Sequence, residues 1–200
     1  MTGPDGTERW RCFVAVPVPH DLRAALSAFV ESLRRHPDAD GWRWTAAASW
    51  HLTLAFLGST DSARVPGLVS ALTDVVAEEP PFSLRAGGLG AFPSRGSGRV
   101  LWYGIADPDG RLRRLASEVR AALRLEADDR FRGHVTLARA RDRFGSPAGE
   151  LLDSVVVPEA TILVGEVILF RSHLGHGAAR YEELARAALS GVPVGAGQQR

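Results

Sequence analysis

Lysine is absent from this 200-residue chain: all 24 of its basic side chains are arginine. The planar fork of arginine grips phosphate through paired hydrogen bonds, so the choice is compatible with a phosphate ligand. The abundance of Ala, Gly and Arg throughout makes compositional bias the simpler explanation. A single cysteine, Cys12, excludes an internal disulfide and any multi-cysteine metal site. It lies inside the apolar run CFVAV and reads as a small buried residue. No stretch approaches the ~20 consecutive apolar residues of a membrane-spanning helix. The opening MTGPDGTERW lacks the basic-then-apolar pattern of a signal peptide. The expectation is a cytoplasmic chain with no membrane partner. An excess of charge of one sign is also lacking, since 23 acidic residues leave a net charge of +1. The surface as a whole therefore does not announce nucleic acid. Locally, five arginines (Arg130, Arg132, Arg139, Arg141, Arg143) face one acid, Asp142, with Asp128 and Asp129 just upstream. Such a run alone reads as a solvated face.

Hydrophobic residues make up 45% of the chain, enough for one sizeable core. Polar, Gly- and Pro-bearing segments at 1–8 and 191–200 read as loose tails around one domain at 9–190. RCFVAVPV predicts a strand stopped by Pro17 and Pro19. Leu22, Ala25, Leu26, Phe29, Val30 and Leu33 recur at helical spacing between His20 and Arg35. Further strands are predicted over 42–45, over 50–57 ending at Gly58, and over 82–89, 100–105, 134–139, 161–171 and 180–184. Helices are predicted over 61–77 and 107–125, with a short one within 146–154. Each half runs strand, helix, strand, which suggests an α+β fold of two related lobes.

The repeat carries the chemistry. His51-Leu52-Thr53-Leu54-Ala55 in the first half matches His134-Val135-Thr136-Leu137-Ala138 in the second. Side chains alternate faces along a strand. His51 and Thr53 therefore share one face, and Leu52, Leu54 and Phe56 the other. His134 and Thr136 are likewise set against Val135 and Leu137. Small Ala55 and Ala138 follow on the polar face, leaving room for a ligand. Two such strands facing one cleft suffice to open a phosphodiester. One imidazole takes a proton from water, the other gives one to the departing ribose oxygen, and the threonine hydroxyls bind the non-bridging oxygens. A lone H-x-T is not specific; two copies sharing aliphatic and alanine positions in strand context are. The bland alternative is a pair of core histidines, with threonines chosen for strand propensity.

These motifs resemble the signature of the two-histidine phosphoesterase superfamily. Within it, the chain looks like the RNA 2′,3′-cyclic phosphodiesterases, historically called 2′-5′ RNA ligases. The likeness covers Trp10 to about Leu184: RCFVAVPVP, WHLTLAFLG, LGAFPSRGSGRVLWYGI, FRGHVTLARAR and LFRSHLGHGAARY occur in family order. Trp50 departs from the polar residue expected before the first motif. The resemblance implies a bilobal α+β fold of two pseudo-symmetric lobes, each with an antiparallel sheet and flanking helices, and an active-site cleft between them. It implies hydrolysis of a 2′,3′-cyclic phosphate to a 2′-phosphomonoester without metal or cofactor, with weak reverse ligation. His51 is then the general acid and His134 the general base. The implied partner is RNA ending in a cyclic phosphate, tRNA fragments among the candidates, bound by a monomer. Arg139 matches an arginine of the family's second motif, yet strict alternation puts it on the face of Val135 and Leu137. Only a strand end or bulge after Ala138 would turn it back.

Among the aromatics, Trp44 and Phe92 are the preferred base-stacking candidates, while Trp50, Trp102 and Tyr103 read as core. His173 and His176 form H-x-x-H in a Gly-rich loop without a Cys or acid at ligand spacing, and read as loop histidines. His20 and His36 flank a helix. The cluster Gly87-Gly88-Leu89-Gly90 lacks the Lys-Ser/Thr of a nucleotide loop. Rival functions are a phosphodiesterase for a 2′-5′ oligoadenylate or ADP-ribose cyclic phosphate, a non-catalytic RNA-end binder, and a ligase. The first needs a substrate panel to separate. The second is disfavoured by the presence of both histidines and both threonines, and the third by the want of an ATP loop.

Overall fold

The structure, a computed structural model, describes residues 8–173 and 179–192. Among these, the elements follow the order β1 (Arg9–Pro17), α1 (His20–Leu33), β2 (Trp42–Trp44), β3 (His51–Asp61), α2 (Val65–Ala77), β4 (Phe82–Phe92), β5 (Val100–Ala106), α3 (Arg111–Ala122), β6 (His134–Ala140), α4 (Gly149–Asp153), β7 (Ala160–Val164), β8 (Glu166–His173) and β9 (Arg180–Ala188). The strands form one sheet in the order β7-β4-β5-β6-β3-β1-β8-β9, with β2 paired to β6 off that path. All pairings are antiparallel.

The two lobes are the two halves of this sheet. They meet where β3 and β6 pair at a single residue couple, Leu52 with Val135. That one rung lies inside both motifs, so the fold brings His51 and His134 to the same seam. The helices are exchanged between halves. α1 follows β1, yet buries Leu22, Leu26, Phe29 and Leu33 in the cluster of Leu101, Tyr103, Val135 and Leu137 from β5 and β6. α3 follows β5, yet buries Leu112, Leu115 and Val119, beside Leu68, Leu72 and Val76 of α2, against Val14, Leu52, Leu54 and Leu169. Each such fully buried leucine contributes about 1.5–3 kcal/mol. The reciprocal crossover of α1 and α3 gives the fold its pseudo-twofold character and ties the halves together where the sheet pairing is thinnest.

Several boundaries differ from the sequence reading. β3 does not stop at Gly58. It runs on to Asp61, with Gly58 at φ 65° in a bulge where Cys12 pairs Gly58 and Phe13 pairs Phe56. A glycine takes this left-handed conformation without strain. α2 consequently starts four residues late, at Val65, after a 3-10 turn over Ser62–Arg64. α3 starts at Arg111, where the Asp107 carboxylate accepts hydrogen bonds from the backbone N–H groups of Leu112 and Arg113. The stretch 161–171 is two strands broken at Gly165: β7 at one edge of the sheet order, and β8 in the other half, between β1 and the edge strand β9. An unbroken apolar run conceals such a break, because β7 is apolar even at an exposed position, Leu163. Of the predicted tails, Glu8 is tied by an ion pair to Arg171 and Gly191 by its N–H to the Glu79 carbonyl. Residues 1–7 and 193–200 lie outside the described residues, as does His176.

Candidate active site

The motif strands each contain a bulge at the same place. On β3, Val14 pairs Ala55 and Ala15 pairs Thr53, so Leu54 has no rung of its own. On β6, Leu101 pairs Ala138 and Trp102 pairs Thr136, so Leu137 has none. An extra residue resets the alternation. Leu54 and Ala55 are consequently both buried, as are Leu137 and Ala138, and the next residue returns to the cleft. This corrects two expectations. Ala55 and Ala138 belong to the core and leave no room in the cleft, and Phe56 is 63% exposed on the cleft wall and not in the core. It also resolves Arg139: the bulge falls before it and turns its side chain back beside His134.

The resulting cleft has a volume of about 500 Å³ and is lined by His51, Thr53, Phe56, His134, Thr136 and Arg139 among others. Its other walls include Arg11, Phe13, Thr45, Ser172 and Tyr181. None of the described residues lining it is acidic. With two guanidiniums, two imidazoles and hydroxyls facing inward, it is built for an anion.

The two histidines are held alike. His51 Nδ1 lies 2.8 Å from the Ser49 carbonyl, and His134 Nδ1 lies 2.7 Å from the Arg132 carbonyl. A carbonyl only accepts, so each Nδ1 carries the hydrogen and donates. Each Nε2 is then left with its lone pair for the cleft. In both cases the acceptor is two residues upstream, so the chain just before each motif strand fixes that histidine's tautomer.

Their surroundings are not alike. The His51 ring sits 4.7 Å from Phe13 and edge-on to Tyr181 at 5.1 Å. Burial pushes its pKa down to about 4; the Ser49 hydrogen bond opposes this, while the charges of Arg139 and His134 add to it. His134 is less enclosed. Phe92 packs edge-on to it at 5.2 Å, and its pKa is also lowered, by burial first and then by Arg139, against the Arg132 hydrogen bond. Burial also raises the Tyr181 hydroxyl pKa. Both imidazoles are therefore neutral in the empty cleft at neutral pH.

Phe92 also stacks on Trp102 at 5.1 Å, and the two, with Phe131 and Arg132, wall a smaller pocket of about 220 Å³ beyond His134. Trp44 takes another place. It pairs Ala138 across β2 and β6, packs against the α1 core with the Arg34 guanidinium 5.9 Å over its ring, and does not line the cleft. Trp50 is buried in that same core, which accounts for an apolar residue before the first motif. Among the described residues no group of three or more His, Cys, Asp or Glu side chains is placed to hold a metal ion. His173 instead meets Glu182 at 2.7 Å. No described helix is long and apolar enough to cross a membrane.

Residues 16–102 match the family model described as LigT like Phosphoesterase. An RNA 2′,3′-cyclic phosphodiesterase of Thermus thermophilus is 36% identical over 141 residues, which are 66% of this chain and 69% of that protein. The chain belongs to the LigT-like phosphoesterases. A namesake enzyme of Geobacillus stearothermophilus is 31% identical over 191 residues, 94% of this chain but 60% of that longer protein. Among solved structures, Escherichia coli LigT complexed with 3′-AMP is 28% identical, superposes with a TM-score of 0.72, and covers 92% of this chain and 99% of its own. The LigT-like fold and the His/Thr repeat are thus present together in one chain.

Sequence reasoning missed Phe13, Phe56, Tyr181 and Arg11 as cleft residues. Phe13, Arg11 and Tyr181 come from β1 and β9, and reach the site only through strand pairing, which no local pattern reports. Phe56 had a signal. It stands at the same offset from His51 as Arg139 from His134, so whatever places one places the other.

Proposed function

We propose that this LigT-like phosphoesterase hydrolyses the 2′,3′-cyclic phosphate at the 3′ end of an RNA to a 2′-phosphomonoester, with His51 and His134 as the proton-transfer pair. The observation that carries this reading is the duplicated tautomer lock. Two imidazoles present free Nε2 atoms to one acid-free cleft, each beside a threonine of its own strand. The names of the related enzymes support the choice of substrate.

The cyclic phosphate monoanion sits between the two strands, its non-bridging oxygens accepting from the Thr53 and Thr136 hydroxyls. His134 Nε2 takes a proton from a water that attacks phosphorus in line with O3′. The P–O3′ bond breaks, and His51 Nε2–H delivers its proton to O3′, leaving the phosphate on O2′. The assignment of acid and base follows the family resemblance. Because burial keeps His51 deprotonated in the empty cleft, its proton is loaded once the anion lies beside it: a nearby negative charge favours the imidazolium. With the 5′-hydroxyl of a second RNA attacking in place of water, the same steps join two RNA ends through a 2′-5′ linkage. Phe92, on the far side of His134, offers a ring for the terminal base. In this reading the enzyme acts as a monomer in the cytoplasm, as one domain spanning residues 9–190, and needs no metal.

The test is hydrolysis of an oligoribonucleotide ending in a 2′,3′-cyclic phosphate, with EDTA present. A 2′-phosphate product from wild type, and none from His51→Ala or His134→Ala, supports the reading. An inactive wild type, or activity surviving both substitutions, moves the 2′-5′ oligoadenylate and ADP-ribose cyclic phosphate alternatives, or simple end binding, to the front.

A further inference from the structure

Beyond the catalytic pair, the cleft face continues onto β2. Arg43 on β2 lies directly across from Arg139 on β6. Residues directly opposite in an antiparallel pair project from the same face, so both guanidiniums rise from the face to which Arg139 contributes cleft lining. Two neighbours agree. Thr45, two residues beyond Arg43, lines the cleft, and so does Val100, the partner of Arg139 on β5. β2 is short but firmly held: Trp42 is wholly buried, Trp44 packs on the α1 core, and Arg43 between them is exposed. Arg43 is thus a surface cation on a rigid mount.

Like charges directly opposite one another destabilise a sheet. Among the described residues neither Arg43 nor Arg139 has a carboxylate within ion-pairing reach. Both arginines are exposed, so water screens their repulsion in part, and an anion placed between the two forks would offset the rest. On an RNA with a cyclic 3′ end, the reacting phosphate occupies the histidines. The nearest remaining anion is the phosphodiester that joins the terminal nucleotide to the one before it. A mononucleoside cyclic phosphate has no such group.

We propose that Arg43 and Arg139 together form a second phosphate site, which takes the phosphodiester immediately 5′ of the terminal nucleotide. The site makes an oligoribonucleotide end a better substrate than a mononucleoside 2′,3′-cyclic phosphate. This inference rests on the hydrolase reading above and deepens it. Among the described residues, the opposite end of the cleft has a single arginine in its lining, Arg11, on β1 beside Ser172 of β8, with no second guanidinium across from it. The paired forks therefore give the direction in which the RNA leaves the site.

The experiment compares kcat/KM for cytidine 2′,3′-cyclic phosphate with that for a tetraribonucleotide ending in the same group, in wild type, Arg43→Gln, Arg43→Lys and Arg11→Gln. Wild type is expected to favour the tetranucleotide. Arg43→Gln should cut that preference about tenfold, chiefly through KM, and Arg43→Lys should recover part of it, keeping the charge without the fork. The slope of log kcat/KM against log salt for the tetranucleotide should flatten by about 0.7 in Arg43→Gln, one phosphate contact being lost. Relief of the like-charge pair should leave the Arg43→Gln melting temperature equal to or above that of wild type, which separates a binding role from a structural one. Wild type active on both substrates with a preference untouched by Arg43→Gln overturns the second site while the hydrolase reading stands. Transfer of the effect to Arg11→Gln also overturns it, by reversing the strand direction. Wild type inactive on both overturns the hydrolase reading and this site with it.

Discussion

Phe56 and Arg139 occupy equivalent positions in the two halves of the molecule, five residues beyond His51 and His134, each returned to the cleft by a bulge at the preceding leucine. The same backbone device thus serves two chemistries: a cation over one motif strand and an aromatic face over the other. Phe56 lies 6.1 Å from Phe13, which itself stacks near His51, so its ring extends an aromatic wall toward the solvent. At 63% exposure it adds little to the core. Phe56→Ala should therefore change stability by no more than about 0.5 kcal/mol. If the ring stacks on a base, the same substitution should raise KM for an RNA substrate about fivefold or more. Urea denaturation and steady-state kinetics on one preparation check both. A large loss of stability with KM unchanged would make Phe56 a packing residue.

What the sequence could and could not reveal divides along physical lines. Strand alternation placed His51, Thr53, His134 and Thr136 on the cleft, because all four precede the bulges and the period of two holds there. The same rule failed at Ala55, Phe56, Ala138 and Arg139, the two residues that follow each point where Leu54 and Leu137 drop out of the pairing. Helices α1, α2 and α3 were legible from apolar spacing, but not that α1 and α3 each cross to cover the other half-sheet. That exchange is a property of the tertiary packing. The wall formed by Phe13, Phe170 and Tyr181 likewise joins β1 to the sequence-distant β8 and β9.

Each imidazole is locked by a bond to a backbone carbonyl, so replacing either should remove proton transfer without disturbing its neighbour's tautomer. His51→Ala and His134→Ala are each expected to lower kcat by about 10²–10⁴, and the double variant by little more than the worse single one, because acid and base act in one step. Thr53→Val and Thr136→Val remove a hydroxyl at nearly constant volume and should cost about tenfold to a hundredfold in kcat, with a smaller change in KM. Single-turnover rates on a cyclic-phosphate-ended RNA decide the matter. Threonine variants with wild-type kcat would show that those hydroxyls do not touch the phosphate.

The burial of His51 also predicts how stability depends on pH. Its folded-state pKa, about 4, lies below the ordinary 6.5. Between those values the unfolded chain binds the proton that the folded chain refuses. The contribution is therefore fully present above pH 6.5 and is lost as pH falls toward 4. The depression corresponds to a loss on the order of 3 kcal/mol across that window. Urea midpoints measured at pH 7.5 and pH 4.5 should fall more for wild type than for His51→Gln, which has no imidazole to protonate. Equal falls would mean that His51 is solvated enough to titrate normally.

The same group links charge to turnover. In the empty cleft the aromatic walls and the nearby charges of Arg139 and His134 hold His51 neutral. A general acid has to be protonated when the leaving oxygen departs, so an anion in the cleft must raise His51 toward neutrality for it to serve as one. Titration by NMR, following the His51 ring protons with and without a saturating 2′-phosphomonoester product, should show its pKa rising by about 1–3 units on binding, the usual effect of an opposite charge within a few ångströms. His134 should rise as well, since it faces the same phosphate. If His51 stays near 4 in the complex while His134 alone rises, the proton must come from His134, and the two histidines exchange roles: His51, neutral throughout, would be the base that activates water.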